Sequence, residues 1–383
     1  MNIKCNKTKL SNSLNIALRA VPGKSSIKIL SYIVIEADDN KVKITSNNLD
    51  LGIETSFDAE VITPGKICVE AKIFSDMVHK LPSDEVSISV SDFVEVKKED
   101  VEEGEDAVYE KADMTIKSGK ANFTLKVLSA DTFPQLPSIV KGSSVDITML
   151  GLKNIINQTE FSISENENVV VMTGECFEIN GSSLRVIAID GNRIAIRNVQ
   201  LSKEYESKKV IIPGKVLREI SKILSDDAES MVNMYFTEKH VMFVFDDTVI
   251  VSRLIDGNYY AVDRMISYDS NTNIIINKKE LHDTIDRSML LRKEIDKRPL
   301  VINISDNNAN FNMNASFAAM DEDIEVEKNG DDLTIGFNPK FILDALRAID
   351  DENIKMYFNN SKSPCTIRDD ENNYIYIILP INI

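Results

Sequence analysis

Few residues in this chain are grouped as chemistry requires. Gly23-Lys24-Ser25 has the ending of a phosphate-binding loop, but that loop needs a glycine five residues before Gly23, and Leu18 stands there. Asp269, Asn271, Asn273 and Glu280 fall at positions 1, 3, 5 and 12 of a calcium loop. Position six, where the sharp turn demands glycine, is Ile274, and Ile274-Ile275-Ile276 reads as a strand. Asp100, Glu102, Glu103 and Glu105 belong to an acidic run, 98–113, that reads as a solvated loop, whereas carboxylate chemistry needs a rigid scaffold. His79, His240 and His282 lie far from one another and from Cys5, Cys68, Cys176 and Cys365, so zinc spacings are absent. No nucleophile elbow and no Ser/His/Asp grouping is marked by its context. The chain is therefore read as a non-enzyme without catalytic residues, metal or cofactor.

What is regular is the punctuation. Residues 8–20 (TKLSNSLNIALRA), 149–162 (MLGLKNIINQTEFS) and 277–293 (NKKELHDTIDRSMLLRK) carry apolar residues at helical spacing. A second helix type recurs at 70–80 (EAKIFSDMVHK), 213–224 (PGKVLREISKIL) and 338–349 (NPKFILDALRAI), each following a strand-like run and each with a lysine as third residue. Leu10, Leu152 and Leu281 stand 142 and 129 residues apart, and Ile73, Val216 and Phe341 stand 143 and 125 apart. Within each repeat the two helix types are 63, 64 and 60 residues apart, so the pair is triplicated.

Between the helices the chain reads as β: 184–189, 241–245, 249–254 and 374–379 are rich in β-branched and aromatic residues. Asn180-Gly181, Asp190-Gly191, Asp256-Gly257 and Asn329-Gly330 read as turns. The expected fold class is α+β, with three tandem similar domains of antiparallel sheet plus two helices, over 1–143, 144–265 and 266–383.

The 383 residues carry 44 Lys+Arg against 61 Asp+Glu, a net charge of −17 that argues against a basic exterior coating nucleic acid or anionic membrane. The sign is not uniform. The six helical segments hold 15 basic and 8 acidic residues, so the remainder of the chain carries −24. Glutamate is as good a helix former as lysine, so propensity alone does not explain the bias. No run reaches the roughly 18 apolar residues of a membrane span, the first residues lack a signal-peptide core, and four scattered cysteines read as free thiols. A cytoplasmic location is expected.

Several stretches carry a family resemblance: 28–50 (KILSYIVIEADDNKVKITSNNLD), 125–137 (LKVLSADTFPQLP), 186–194 (VIAIDGNRI), 253–257 (RLIDG) and 376–383 (YIILPINI). In this order and spacing the chain resembles the bacterial sliding clamps, the beta subunits of DNA polymerase III, from end to end. The resemblance implies a head-to-tail homodimer whose six domains close a ring around double-stranded DNA without reading sequence. It also implies accessory rather than catalytic work, tethering the replicative polymerase alpha subunit, the clamp loader, other polymerases and repair proteins through short linear motifs, with no membrane partner. Lys24, Asn166 and Lys215 match the family's DNA-contacting positions.

Phe123 and Leu125, with Leu290 and Leu291, match its dimer contact, where Lys72, Lys117 and Lys120 would face Asp321, Glu322 and Asp323. The partner-peptide pocket would be formed by Met172, Gly174, Ile189, Gly191, Asn192, Arg193, Ile194, Arg264, Met265, Pro364, Ile377, Ile378, Leu379, Pro380 and Ile381, with apolar walls and an arginine at each side. Ile189, Asn192 and the Tyr259-Tyr260-Ala261-Val262 run depart from the residues usual there, so a more apolar pocket is expected. A multidomain scaffold that binds proteins without encircling DNA is the alternative.

Overall fold

The computed structural model describes residues 1–95, 110–266, 269–292 and 298–383. It contains the six expected helices: α1 (Lys7–Ala17), α2 (Ala71–His79), α3 (Met149–Asn157), α4 (Gly214–Ile223), α5 (Lys278–Met289) and α6 (Pro339–Arg347). Five begin at a side-chain cap. Asn6 accepts from the N–H groups of Thr8 and Lys9, and Glu70, Thr148, Asn277 and Asn338 act in the same way. Pro339, just inside α6, has the fixed φ a helix start needs. The helices end earlier than the apolar periodicity suggests, because the chain tightens into single 3₁₀ turns at Leu18–Ala20 and Glu160–Ser162.

The helices pack in pairs, α1 with α2, α3 with α4, and α5 with α6, which gives the triplication a physical meaning. Leu10, Leu14, Phe74 and Val78 close over Ile33, Ile35, Ile67 and Met114. Leu281, Ile285, Ile342 and Leu346 close over Ile302, Phe311, Phe337 and Met356 in the same way. Each helix pair thus buries its apolar stripe on an antiparallel sheet and leaves its polar face in water.

Packing gathers the chain into two compact units, Met1–Val145 with Ser230–Arg253, and Asp146–Glu229 with Leu254–Ile383. In the first, strand Thr248–Arg253 pairs with Leu51–Asp58, from Thr248 opposite Thr55 to Ser252 opposite Leu51, so three strands of the second repeat extend the sheet of the first. The buried hydroxyls of Thr55 and Thr248 meet across this seam at 3.0 Å. In the second unit, Arg193–Pro213 pairs with the terminal strand Tyr374–Ile378. A separate four-stranded sheet there runs Ala319–Glu325, Asn308–Asn314, Leu300–Ser305, Leu333–Phe337.

Three local expectations change. Asn180-Gly181 is not a hairpin turn: Gly181 sits at φ +58° inside the 16-residue strand Gly174–Ile189, where the register shifts on either side of it. A glycine with positive φ serves a bulge as well as a turn, and the flanking residues alone do not distinguish them. Of the acidic run 98–113, residues 110–113 open the strand Glu110–Ser118 instead of belonging to a loop, and Asp100, Glu102, Glu103 and Glu105 lie outside the described residues. Ile274–Ile276 is a strand as expected, within Thr272–Asn277.

Asn329-Gly330 likewise lies in a strand, Glu327–Gly330, with Asn329 opposite Asn273 and Gly330 opposite Thr272, yet Gly330 still requires glycine. Its φ is +100°, and an added Cβ would lie 1.9 Å from the carbonyl oxygen of Asn271. Gly330→Ala is expected to lose about 1–3 kcal/mol in urea unfolding, while Gly181→Ala, with open space around its Cβ, loses less.

Candidate nucleic-acid and partner interfaces

The basic helices carry their charge in company. Lys215, in the first turn of α4, lies 3.1 Å from Glu167 with both side chains more than three-quarters exposed. Asn166, adjacent to that glutamate, accepts a hydrogen bond from the Asn168 N–H, so Asn166 and Lys215 are brought to one place. Lys24 lies exposed in the segment after α1. Lys153 pairs with Asp226, Arg218 with Glu160 and Lys279 with Asp283. The excess of positive charge counted along the helices is therefore softened by neighbouring carboxylates. Exposed pairs of this kind are worth about 0–1 kcal/mol, so a phosphate can replace the carboxylate at little cost.

The partner residues converge on one apolar cluster in the second unit. The turn between Gly174–Ile189 and Arg193–Pro213 has Gly191 at φ +90°, and the Asp190 carboxylate accepts from the N–H groups of Asn192 and Arg193. Strand pairing sets Ile194 opposite Ile377 and Arg193 opposite Ile378, and the Leu379 N–H donates to the Asn192 carbonyl. Pro364 precedes Cys365, which pairs with Ile378. Ile189, Ile194 and Ile377 are buried together with Tyr259 and Val262, and Met172 and Ile266 pack against them. The Tyr259 hydroxyl donates to the Gly174 carbonyl, and burial pushes its ionisation upward. Around this cluster Tyr260, Met265 and Leu379 remain exposed, as does Arg264. A buried apolar floor with exposed large apolar residues at its rim suits an extended peptide bearing one or two apolar side chains.

Arg193, expected at this pocket, is taken up by partners of its own. The residue is 8% exposed, and its guanidinium donates from Nε to Asp190 Oδ2 at 2.8 Å and from Nη1 to Asp344 Oδ2 at 2.7 Å, and lies 4.5 Å from the Phe341 ring centroid. Of the two expected arginines, Arg264 is the exposed one. Sequence reasoning missed Asp344 and Phe341 altogether, although Asp344 stands four residues after Lys340 on α6, the spacing of a helical ion pair.

The third set concerns strand edges. Ala121–Leu128 pairs with Glu110–Ser118 along its whole length but meets Gly65–Glu70 only at Leu128 opposite Cys68. Among the described residues, 121–127 therefore present an open edge. Phe123 and Leu125 pack partly against the core on one face, while Lys117 and Lys120 are exposed beside them and Lys72 is exposed in α2. Ala319–Glu325 ends the four-stranded sheet and is another open edge, paired among the described residues with Asn308–Asn314 alone. Leu290, at 79% exposure, is not core, whereas Leu291 packs partly against the core.

The acidic partners divide by face. Asp321 and Asp323 are exposed; Asp321 accepts from the amides of Asn310 and Asn312, and Asp323 from those of Asn308 and Asn310, which hold its carboxyl below the usual range. Glu322 points the other way, to Arg287 and Thr284 of its own chain, and its carboxyl is lowered by the Arg287 hydrogen bond. Glu322 is thus already ion-paired within its own chain, whereas Asp321 and Asp323 meet amides.

Three family models match along the chain: the N-terminal domain of the DNA polymerase III beta subunit over 1–137, its central domain over 146–260 and its C-terminal domain over 263–382. The chain belongs to this family. The Beta sliding clamp of Bacillus subtilis is 34% identical over 400 residues, covering 100% of this chain and 99% of that protein. A crystal structure from Eubacterium rectale assigned to the DNA polymerase III beta subunit superposes with TM-score 0.91 at 42% identity, covering 100% of this chain and 99% of that one. The DNA polymerase sliding clamp of Bacillus subtilis gives TM-score 0.91 at 32% identity, with the same coverage of both chains. The fold is accordingly three tandem clamp domains, and the family identity makes the protein a processivity accessory subunit, not a catalyst.

One buried acid belongs to none of these surfaces. Glu175 is fully buried, accepts from Thr159 Oγ1 at 2.9 Å, and leaves Oε2 without a partner among the described residues. Burial raises its ionisation well above the ordinary glutamate range, Glu160 adds to this, and the Thr159 hydrogen bond and Arg218 oppose it only in part. Because the unfolded chain ionises this group at lower pH than the folded one, stability falls as pH rises above the ordinary glutamate range, by at most about 1.4 kcal/mol per pH unit. Glu175→Gln should flatten that part of the stability–pH profile in chemical unfolding, and an unchanged slope would contradict the buried neutral acid.

Proposed function

We propose that this chain works as a DNA sliding clamp through the residues named above. Two copies associate head to tail, the open edge 121–127 of one meeting Ala319–Glu325 of the other. Strand addition satisfies backbone groups that each edge otherwise leaves to water. Lys117 and Lys120 against Asp321 and Asp323 supply orientation more than affinity, and Phe123, Leu125, Leu290 and Leu291 supply the apolar contact. The six domains enclose duplex DNA. Lys24, Asn166 and Lys215 meet phosphates, which positions DNA without reading bases. Weak, screened contacts leave it free to slide.

The cluster around Ile189, Ile194, Met265, Ile377 and Leu379 receives the short linear motifs of the replicative polymerase alpha subunit, the clamp loader, other polymerases and repair proteins. A cytoplasmic site of action fits a replication subunit in which no described helix is long and apolar enough to cross a membrane and all four cysteines are buried and free.

The observation that carries the reading is the end-to-end match of all three tandem modules to one family. Topology provides the test. Protein assembled on nicked circular DNA by the loader should be retained, and cutting the circle should release it within the time needed to slide off the ends. Retention on the linear product would overturn encirclement and favour a scaffold.

Leu290→Asp should shift the sedimenting species from dimer toward monomer at micromolar concentration without lowering thermal stability by more than about 1 kcal/mol, since this side chain is exposed within the chain.

A further inference from the structure

One carboxylate is shared between the turn of the proposed pocket and the solvent face of α6. Asp344 is 9% exposed. Its Oδ2 accepts from Arg193 Nη1 at 2.7 Å and from Lys340 Nζ at 2.6 Å, and Arg347 Nη1 lies 3.8 Å from its Oδ1. Arg193 is in turn fixed to the 189–194 turn through Asp190 and stacked on Phe341. Lys340 and Arg347 are more than half exposed, at 53% and 58%. Asn192, Arg193, Lys340, Phe341, Asp344 and Arg347 line a single cavity of about 670 Å³, so the turn and the helix face meet there through side chains and not through a strand.

Three cations around one carboxylate repel one another, and the buried one has least freedom to move away. A polyanion that draws Lys340 and Arg347 outward removes two competitors for Asp344 and leaves it to Arg193. The pair then tightens, and with it the turn that presents Ile189, Gly191, Asn192 and Ile194. A better ordered turn loses less freedom on binding. We propose that Asp344 is a positioning residue through which phosphate at Lys340 and Arg347 raises the affinity of the partner pocket for its peptide, so that DNA-bound protein is the preferred form for partners. This rests on the reading of the 189–194 turn as part of the pocket. By linkage, peptide must raise duplex affinity by the same factor.

The test is fluorescence anisotropy of a labelled peptide carrying Gln and Leu/Phe side chains, titrated with the full-length protein at low salt, with and without a short blunt duplex. Duplex should tighten peptide binding about fivefold. In the Lys340→Gln, Arg347→Gln double variant, binding without duplex should already have the affinity the native protein shows with it, and duplex should add nothing. Asp344→Asn should weaken the peptide about tenfold and abolish the response, and Asp344→Glu should restore part of both. The double variant changes only exposed side chains, so the outcome does not hang on the fold of Asp344→Asn.

Absence of a duplex effect on the native protein, or its survival in Asp344→Asn, overturns the proposal. Ile189→Asp separates the two readings. If it leaves peptide binding intact, the pocket reading fails and the coupling falls with it. If it abolishes binding while Asp344→Asn does not alter it, the coupling alone fails.

Discussion

A strand must pair its backbone groups or leave them to water, and this requirement organises the chain more than any side chain does. In the first unit the sheet does not stop at the repeat boundary: Thr248–Arg253 continues it through Leu51–Asp58. In the second, Arg193–Pro213 continues into Tyr374–Ile378. Repeats joined by strand pairing are held by many short hydrogen bonds along a seam and not by a few side-chain contacts. Strand edges that remain open among the described residues, 121–127 and Ala319–Glu325 among them, are where the proposed second copy would add.

The same seams build the apolar cluster proposed as the partner site. Because Ile194 pairs with Ile377, residues far apart in sequence share one apolar cluster, and the turn between the two long strands is held at its rim. Arg193 illustrates how position decides role. On an exposed strand it would offer a guanidinium to a ligand. Here it is buried between Asp190, Asp344 and Phe341, where its worth is to orient the turn. A buried charge needs such partners, since losing one leaves the other uncompensated.

Charge follows a related logic. The total of −17 conceals helices whose basic residues outnumber their acidic ones. The structure adds that many of those cations already have local acidic partners, as Lys215 has Glu167 and Arg218 has Glu160. Exposed pairs are weak enough to exchange with phosphate, which suits a surface that must attract DNA without holding it at one place.

Helix existence, order and threefold recurrence were legible in the residues, because apolar spacing along α1 to α6 and the lysine near the start of α2, α4 and α6 are local properties. The strand at Ile274–Ile276 was legible for the same reason. Asn180-Gly181 was not, since a positive φ serves a turn or a bulge alike, and only the partner strand decides between them. Nor were the packing of strands 231–253 with the first repeat, the burial of Arg193 against Asp344 or the private pairing of Glu322 with Arg287. Each depends on residues tens to hundreds of positions apart. The sequence by itself determined which elements form and how often they recur, because those follow from interactions within a few residues. Which edges stay open, which charges are already paired and which apolar residues share a floor were decided only by the tertiary structure, because pairing and burial depend on what lies across the gap.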